Sequence, residues 1–180
     1  MATELSEKIE LIRNHVQSFP DFPKPGVLFK DIFSVLREPK VFSVLCDILC
    51  KHVKSLPSKI EYVTALDSRG FLFGPIIALD QQVPFVPIRK KGKLPGDICS
   101  ASYKLEYGED TLEIQANSIP KGANVLVVDD LLATGGSLSA ACSLIESIGA
   151  KTVECLIVME LTSLKGREKL KAPVHSLLKY

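Results

Sequence analysis

Residues 124–142 read NVLVVDDLLATGGSLSAAC. Val125–Val128 form an unbroken apolar run, the pattern of a strand buried on both faces. Two carboxylates follow, Asp129 and Asp130, then the small residues Ala133-Thr134-Gly135-Gly136-Ser137. From Ser137 to Gly149 the pattern turns helical, and Gly149 supplies the stop. Strand, acidic pair, small-residue loop and helix together make one unit of an α/β fold.

The same alternation extends outward in both directions. Upstream, IEYVTAL (60–66) and VPFVPI (83–88) read as apolar strands separated by a helix over 70–82, with Pro75 near its start. Downstream, KTVECLIVMEL (151–161) is another buried strand, and VHSLLKY (174–180) adds one at the edge. SASYKLEY (100–107) and TLEIQAN (111–117) alternate with period two around Gly108, which marks a hairpin. Amphipathic helices are expected over 4–17 and 39–54. Between them SFPDFPKPGVLFKDI (18–32), with Pro20, Pro23, Pro25 and Gly26, excludes helix and reads as an ordered loop. The fold class is therefore α/β: a mainly parallel central sheet flanked by helices, with an antiparallel hairpin attached.

Composition narrows the function. The chain has 180 residues, a length for one domain, 1–180, with no linker or repeat. Lys and Arg number 22 against 21 Asp and Glu, a net +1 that argues against nucleic-acid or membrane-surface partners. No apolar run is long enough for a membrane span, and the acid-containing N-terminus resembles neither a secretory nor an import signal. The expected location is cytoplasmic. Five cysteines without a C-x-x-C pair read as reduced, mostly packed thiols, and His15, His52 and His175 are scattered without metal-ligand spacing.

The loop after Asp130 has the properties of a phosphate cradle. Small side chains let backbone N–H groups approach an anion, a helix N-terminus adds positive potential, and Thr134 and Ser137 add hydroxyls. It is neither a Walker A loop nor a dinucleotide loop, since the Lys-Ser/Thr closure and G-x-G-x-x-G are both missing. Two acids beside a phosphate need something between, and ribose hydroxyls fit, which points to a ribose 5-phosphate. The competing reading is a helix cap with a metal-holding Asp.

ALDSRG (65–70) is a second strand-to-helix corner, with Asp67, Ser68 and Arg69. Arg69 is either a phosphate fork or a structural partner of an acid. RKKGKLPGD (89–97) concentrates Arg89, Lys90, Lys91 and Lys93. It is either a solvated loop or a flap hinged at Gly92 and Gly96 that closes over a polyanion. Glu106, on the hairpin beyond, is either a surface residue or the nearest candidate for proton transfer.

VVDDLLATGGS (127–137) resembles the 5-phosphoribosyl 1-diphosphate (PRPP) motif of type I phosphoribosyltransferases. FPDFPKPGVLFKDI, ALDSRGFLFG, IRKKGKLPG, SYKLEYG and ELTSLKGREKL resemble, in order, further segments of the adenine-using branch of that family, over about residues 18–179. The resemblance implies that adenine and PRPP give AMP and diphosphate, with Mg2+ as cofactor held through PRPP and water rather than by direct protein ligands. It implies that Asp129 and Asp130 hold the ribose hydroxyls while Ala133, Thr134, Gly135, Gly136 and Ser137 cradle the 5-phosphate.

By the same resemblance Asp67, Ser68 and Arg69 form a diphosphate loop, where the family often keeps a non-proline cis peptide. Arg89, Lys90 and Lys93 reach the diphosphate, partly across a homodimer interface. Glu106, Tyr107 and Arg69 are the catalytic residues, Glu106 being the acid/base near the purine. Val27, Leu28 and Lys30 face adenine from an N-terminal hood, residues 1–35, and residues 89–117 form the flexible flap. Lys30 stands where an Arg is often found, and Ser137 where Thr is common. Two rivals stay open: a phosphoribosyltransferase for another base, and a PRPP-sensing regulator without chemistry.

Overall fold

The computed structural model describes residues 2–104 and 108–180. Two compact units divide the chain, residues 1–51 and 52–180. The first holds α1 (Ala2–His15), β1 (Gln17–Pro20), β2 (Leu28–Asp31), the single-turn α2 (Phe33–Leu36) and most of α3 (Pro39–Lys54). Helix α3 opens on proline, whose fixed φ suits a first turn. Val41, Leu45, Ile48 and Leu49 recur at helical spacing along α3 and are all buried.

The segment 18–32 is more regular than a loop. Strands β1 and β2 pair antiparallel, with Phe19 opposite Phe29 and Pro20 opposite Leu28. The remaining prolines sit in the connection, where no ladder hydrogen bond is lost. There the Phe22–Pro23 peptide is cis, and Phe22 packs edge-on against Phe29 with ring centroids 5.1 Å apart.

The second unit contains β3 (Tyr62–Leu66), a 3-10 turn (Arg69–Leu72), α4 (Gly74–Gln81), β4 (Phe85–Lys90), β5 (Ile98–Lys104), β6 (Glu109–Gln115), β7 (Asn124–Leu132), α5 (Gly136–Ser147), β8 (Lys151–Glu160) and β9 (Val174–Lys179). Among the described residues these strands make one seven-stranded sheet in the order β5-β6-β4-β3-β7-β8-β9. The stretch β4-β3-β7-β8-β9 is parallel, and the β5/β6 hairpin joins it antiparallel through β4. Val125–Val128 are fully buried, as a strand covered on both faces requires. Leu138, Ala141, Leu144 and Ile145 of α5 lie in one core cluster with Val125, Val127, Cys155 and Ile157 of the sheet.

Three boundary shifts bear on the site. Strand β7 runs on through Leu132, so Asp129 and Asp130 lie within it rather than after it; pairing with β8 continues to Leu132 opposite Glu160. Strand β4 takes in Arg89 and Lys90, because β6 offers them partners in Glu113 and Leu112. The helix expected over 70–82 begins as a 3-10 turn and becomes α-helical only from Gly74, next to Pro75.

The order of the strands locates the site. From β3 the chain crosses to β4 on one side, whereas β7 lies on the other and continues to β8 and β9. The order reverses between β3 and β7. In open α/β sheets the crevice beyond the carboxyl ends of such neighbours receives the ligand. Those ends carry Asp67–Arg69 and Asp129–Ser137.

The far edge is held by charge. At the end of β8, Glu160 takes a two-pronged ion pair from Arg167, 3.1 and 2.6 Å long. This pairing lowers the Glu160 pKa below its ordinary 4.5. A depressed acid stabilises the fold above its unfolded pKa and loses that contribution as pH falls through the folded one. The thermal midpoint should hold down to about pH 4.5 as far as this pair is concerned, then fall. Glu160→Gln should lower the midpoint at neutral pH and shrink the acid-side drop, as thermal melts across pH would show.

His52 and His175, distant in sequence, stack with ring centroids 3.6 Å apart, and His52 meets Glu154 at 2.7 Å. The scatter read from the sequence concealed that cluster. All five cysteines are free thiols, with the sulfurs of Cys142 and Cys155 3.6 Å apart.

Candidate functional site

Between the ends of β3 and β7 lies a polar cleft of about 240 Å³ lined by Asp67, Ser68, Arg69, Lys90, Asp129 and Asp130. The corner after β3 turns through a cis Asp67–Ser68 peptide, the bond type the resemblance placed there. Gly70 lets this corner close on β7. A Cβ at Gly70 would stand 2.7 Å from the Val128 carbonyl oxygen and 3.3 Å from Asp129 Oδ1. Only hydrogen fits.

The charged groups are paired across the cleft. Arg69 Nε donates to Asp130 Oδ2 at 2.5 Å, and Asp130 is 3% exposed. The structural role weighed for Arg69 is therefore present, and it fixes Asp130. The Asp130 amide donates to Asp129 Oδ1 at 2.9 Å. Burial, and then the Asp130 charge, hold Asp129 well above the usual carboxylate range. Asp129 therefore keeps a proton more readily than an ordinary aspartate. Arg89 Nε donates to Asp67 Oδ2 at 3.0 Å, and one Arg89 terminal nitrogen to the Lys93 carbonyl at 3.3 Å. Lys90 Nζ pairs with Asp110 at 3.2 Å.

The cradle opens α5. Gly135 takes φ +79° and its carbonyl accepts from the Ser139 amide at 3.0 Å, which starts the helix. Thr134 is exposed, while Ala133, Gly136 and Ser137 are half-buried. Of the expected site residues, the cleft gathers Asp67, Ser68, Arg69, Lys90, Asp129 and Asp130. Arg89 and Lys93 adjoin through the bonds just given. Glu106 and Tyr107 lie outside the described residues. Within the N-terminal unit, Val27 bonds in the turn to Lys24 and Phe22, Leu28 is 53% exposed, and Lys30 Nζ donates to Ser18 Oγ at 2.9 Å.

The family profile of the phosphoribosyl transferase domain matches residues 33–179. The adenine phosphoribosyltransferase of Mastomys natalensis is 53% identical over 175 residues, 96% of this chain and 97% of its own. This chain belongs to the adenine phosphoribosyltransferase family. That of Drosophila pseudoobscura pseudoobscura is 47% identical over 174 residues, 97% of this chain and 96% of its own. Among solved structures, adenine phosphoribosyltransferase from Saccharomyces cerevisiae, complexed with D-2,5-dideoxy-2,5-imino-altritol 1,6-bisphosphate and adenine, superposes with TM-score 0.93 at 47% identity. The likeness covers 96% of this chain and 99% of that one.

Two residues that adjoin the expected site residues escaped the sequence reading. Glu113, 2% exposed, accepts from the Gly92 amide at 2.8 Å. Gln115 Nε2 donates to the Pro95 carbonyl at 3.1 Å, and the Lys91 and Ala116 amides bond to Thr111 and Asp97. The basic loop is thereby tied to the hairpin. The second is Gly166, buried against the cradle: a Cβ there would lie 2.9 Å from the Gly135 nitrogen. A glycine amid the charges of LKGRE was the only available signal, and nothing local says which loop it touches.

Proposed function

We propose that the chain joins the 5-phosphoribosyl group of PRPP to adenine, giving AMP and diphosphate, a glycosyl transfer of purine salvage. The observation that carries this is the pair of anion-competent corners at one strand-order reversal, with two aspartates between them. The relative from Saccharomyces cerevisiae is complexed with adenine and a bisphosphorylated imino-sugar, a ligand with an anion at each end.

Ala133–Ser137 take the 5-phosphate, with backbone N–H groups and the N-terminus of α5 facing it. Asp129 and Asp130 hold the ribose hydroxyls. Asp67, Ser68 and Arg69 receive diphosphate, joined by Arg89, Lys90 and Lys93. As diphosphate departs, positive charge grows on the sugar and negative charge on the leaving oxygens; the aspartates suit the first and the basic groups the second. Glu106 exchanges a proton at the purine, with Tyr107 beside it in sequence. Val27, Leu28 and Lys30 face adenine. Residues 1–180 act as one domain, with 1–35 supplying the base-facing segment and 89–117 the closing flap that keeps water from PRPP.

The donor set suits Mg2+. Asp129 and Asp130 offer hard oxygens at the cleft, and Mg2+ keeps several waters in its shell. Such a site shares its cation with substrate phosphates and water. When bound, Mg2+ neutralises charge on the phosphate oxygens. A homodimer fits the exposure of Phe19, Phe22, Leu28 and Phe33 in one short stretch of the N-terminal unit. A cytoplasmic setting fits the free thiols. Among the described residues no helix is long and apolar enough to cross a membrane.

The deciding assay supplies PRPP, Mg2+ and one purine at a time. AMP from adenine, with hypoxanthine and guanine inert, is expected; turnover of hypoxanthine with adenine inert would replace the base assignment. PRPP binding without any turnover would instead favour a sensor. Glu106→Gln should slow AMP formation by about 10²–10⁴-fold with the melting curve unmoved. An undiminished rate in that variant removes Glu106 from the chemistry.

A further inference from the structure

The segment ELTSLKGREKL (160–170) leaves β8, makes 3-10 turns over Thr162–Leu164 and Gly166–Lys169, and returns to β9. Its path is pinned at both ends. The Leu161 amide donates to the Leu132 carbonyl at 2.9 Å, on the last residue before the cradle. The Thr162 amide and hydroxyl both donate to the Tyr180 carbonyl, and the Tyr180 amide donates to the Glu160 carbonyl.

Arg167 closes the segment on itself. Its Nε and one terminal nitrogen grip Glu160 at the end of β8. The other terminal nitrogen donates to the Val174 carbonyl at 2.5 Å, and Ser176 Oγ lies 3.2 Å from the guanidinium. One planar fork therefore fixes the exit of β8 to the start of β9. Lysine has neither the fork nor the donor count to copy that.

The residue beside Arg167 is Gly166, and it meets the cradle backbone to backbone. A Cβ on Gly166 would lie 2.8 Å from Leu132 Cδ1 and 2.9 Å from the Gly135 nitrogen, and closer still to the Ala133 carbonyl oxygen. A Cβ on Gly135 would lie 3.0 Å from the Gly166 carbonyl carbon. The turn is the floor on which the cradle rests.

We infer that Arg167 is a positioning residue for the 5-phosphate loop: its clamp on Glu160 and Val174 holds Gly166 beneath Ala133–Gly135, and so sets the affinity for the phosphate end of PRPP. This rests on the cradle reading given above. Arg167 does not line the cleft. It acts on where the loop's N–H groups point. Small misplacement of binding groups is costly, on the order of 10²-fold for about 1 Å.

The test compares wild type, Arg167→Met and Arg167→Lys, with Lys171→Met as a surface control. KM for PRPP, KM for adenine, kcat, the calorimetric affinity for ribose 5-phosphate and the melting midpoint are measured for each. Arg167→Met is expected to raise KM for PRPP and weaken ribose 5-phosphate about 10- to 100-fold, with kcat and KM for adenine little changed. Arg167→Lys should fall between, since it keeps charge without the fork. A folded Arg167→Met or Arg167→Lys that binds ribose 5-phosphate as wild type does overturns the inference. So does an equal loss for PRPP and adenine, which a general loosening of the fold would give. Should Arg167→Met fail to fold, the lysine variant decides by the same ratios. A wild type that makes no AMP and binds no ribose 5-phosphate instead overturns the cradle reading, and the brace with it.

Discussion

Gly135→Ala is expected to lose nearly all use of PRPP at ordinary concentrations. Gly135 takes φ +79°, where an L side chain costs about 1–2 kcal/mol. The added methyl would also strike the carbonyl of Gly166, and such overpacking costs about 1–3 kcal/mol. Some of this lowers the melting midpoint, and the rest appears as a displaced loop. At about 1.4 kcal/mol per tenfold, KM for PRPP should rise on the order of 10²-fold. Gly122→Ala separates the two causes. Gly122 has a similar φ of +82° but nothing within 4 Å of its Cβ position. That variant should be mildly destabilised and bind PRPP normally. A Gly135→Ala enzyme with wild-type KM would mean that the loop does not contact the phosphate.

The double variant Asp129→Asn, Asp130→Asn should lose turnover by on the order of 10³-fold, because the developing cationic sugar would face two neutral amides. The fold should survive, with circular dichroism near that of wild type, but with a cost. Asp130 is buried and bonded to Arg69, and hydrogen bonds to charged groups are worth about 1.5–3 kcal/mol. Arg69 is one-third exposed, so water recovers part of that loss. A lower melting midpoint with intact secondary structure is the expected pattern. Full turnover in the double variant would dismiss the aspartates as the sugar-binding pair.

The alternation of strands and helices was legible because burial imposes a period. Val125–Val128, the α5 face and the β5/β6 hairpin announce themselves locally. The β1/β2 ribbon did not, since Pro20, Pro23 and Pro25 argue against a strand, yet the prolines beyond Pro20 fall in the connection. The extension of β7 through Asp129 and Asp130 depends on β8, which no local pattern reports. The acidic pair and the small-residue loop were visible as a site because their chemistry lies within one short stretch. The partner of Arg69 was not, because 61 residues separate it from Asp130. Glu113 and Gly166 were hidden for the same reason: each acts on a loop remote in sequence.

The absent side chain at position 70 has a consequence for what can be bound. Position 70 approaches the Val128 carbonyl with no room for a side chain, so the spacing of the β3 corner from β7 is set by backbone. Under the proposed reading the two corners act as a fixed caliper, and a bisphosphate one carbon longer is expected to bind more weakly, as calorimetry would show.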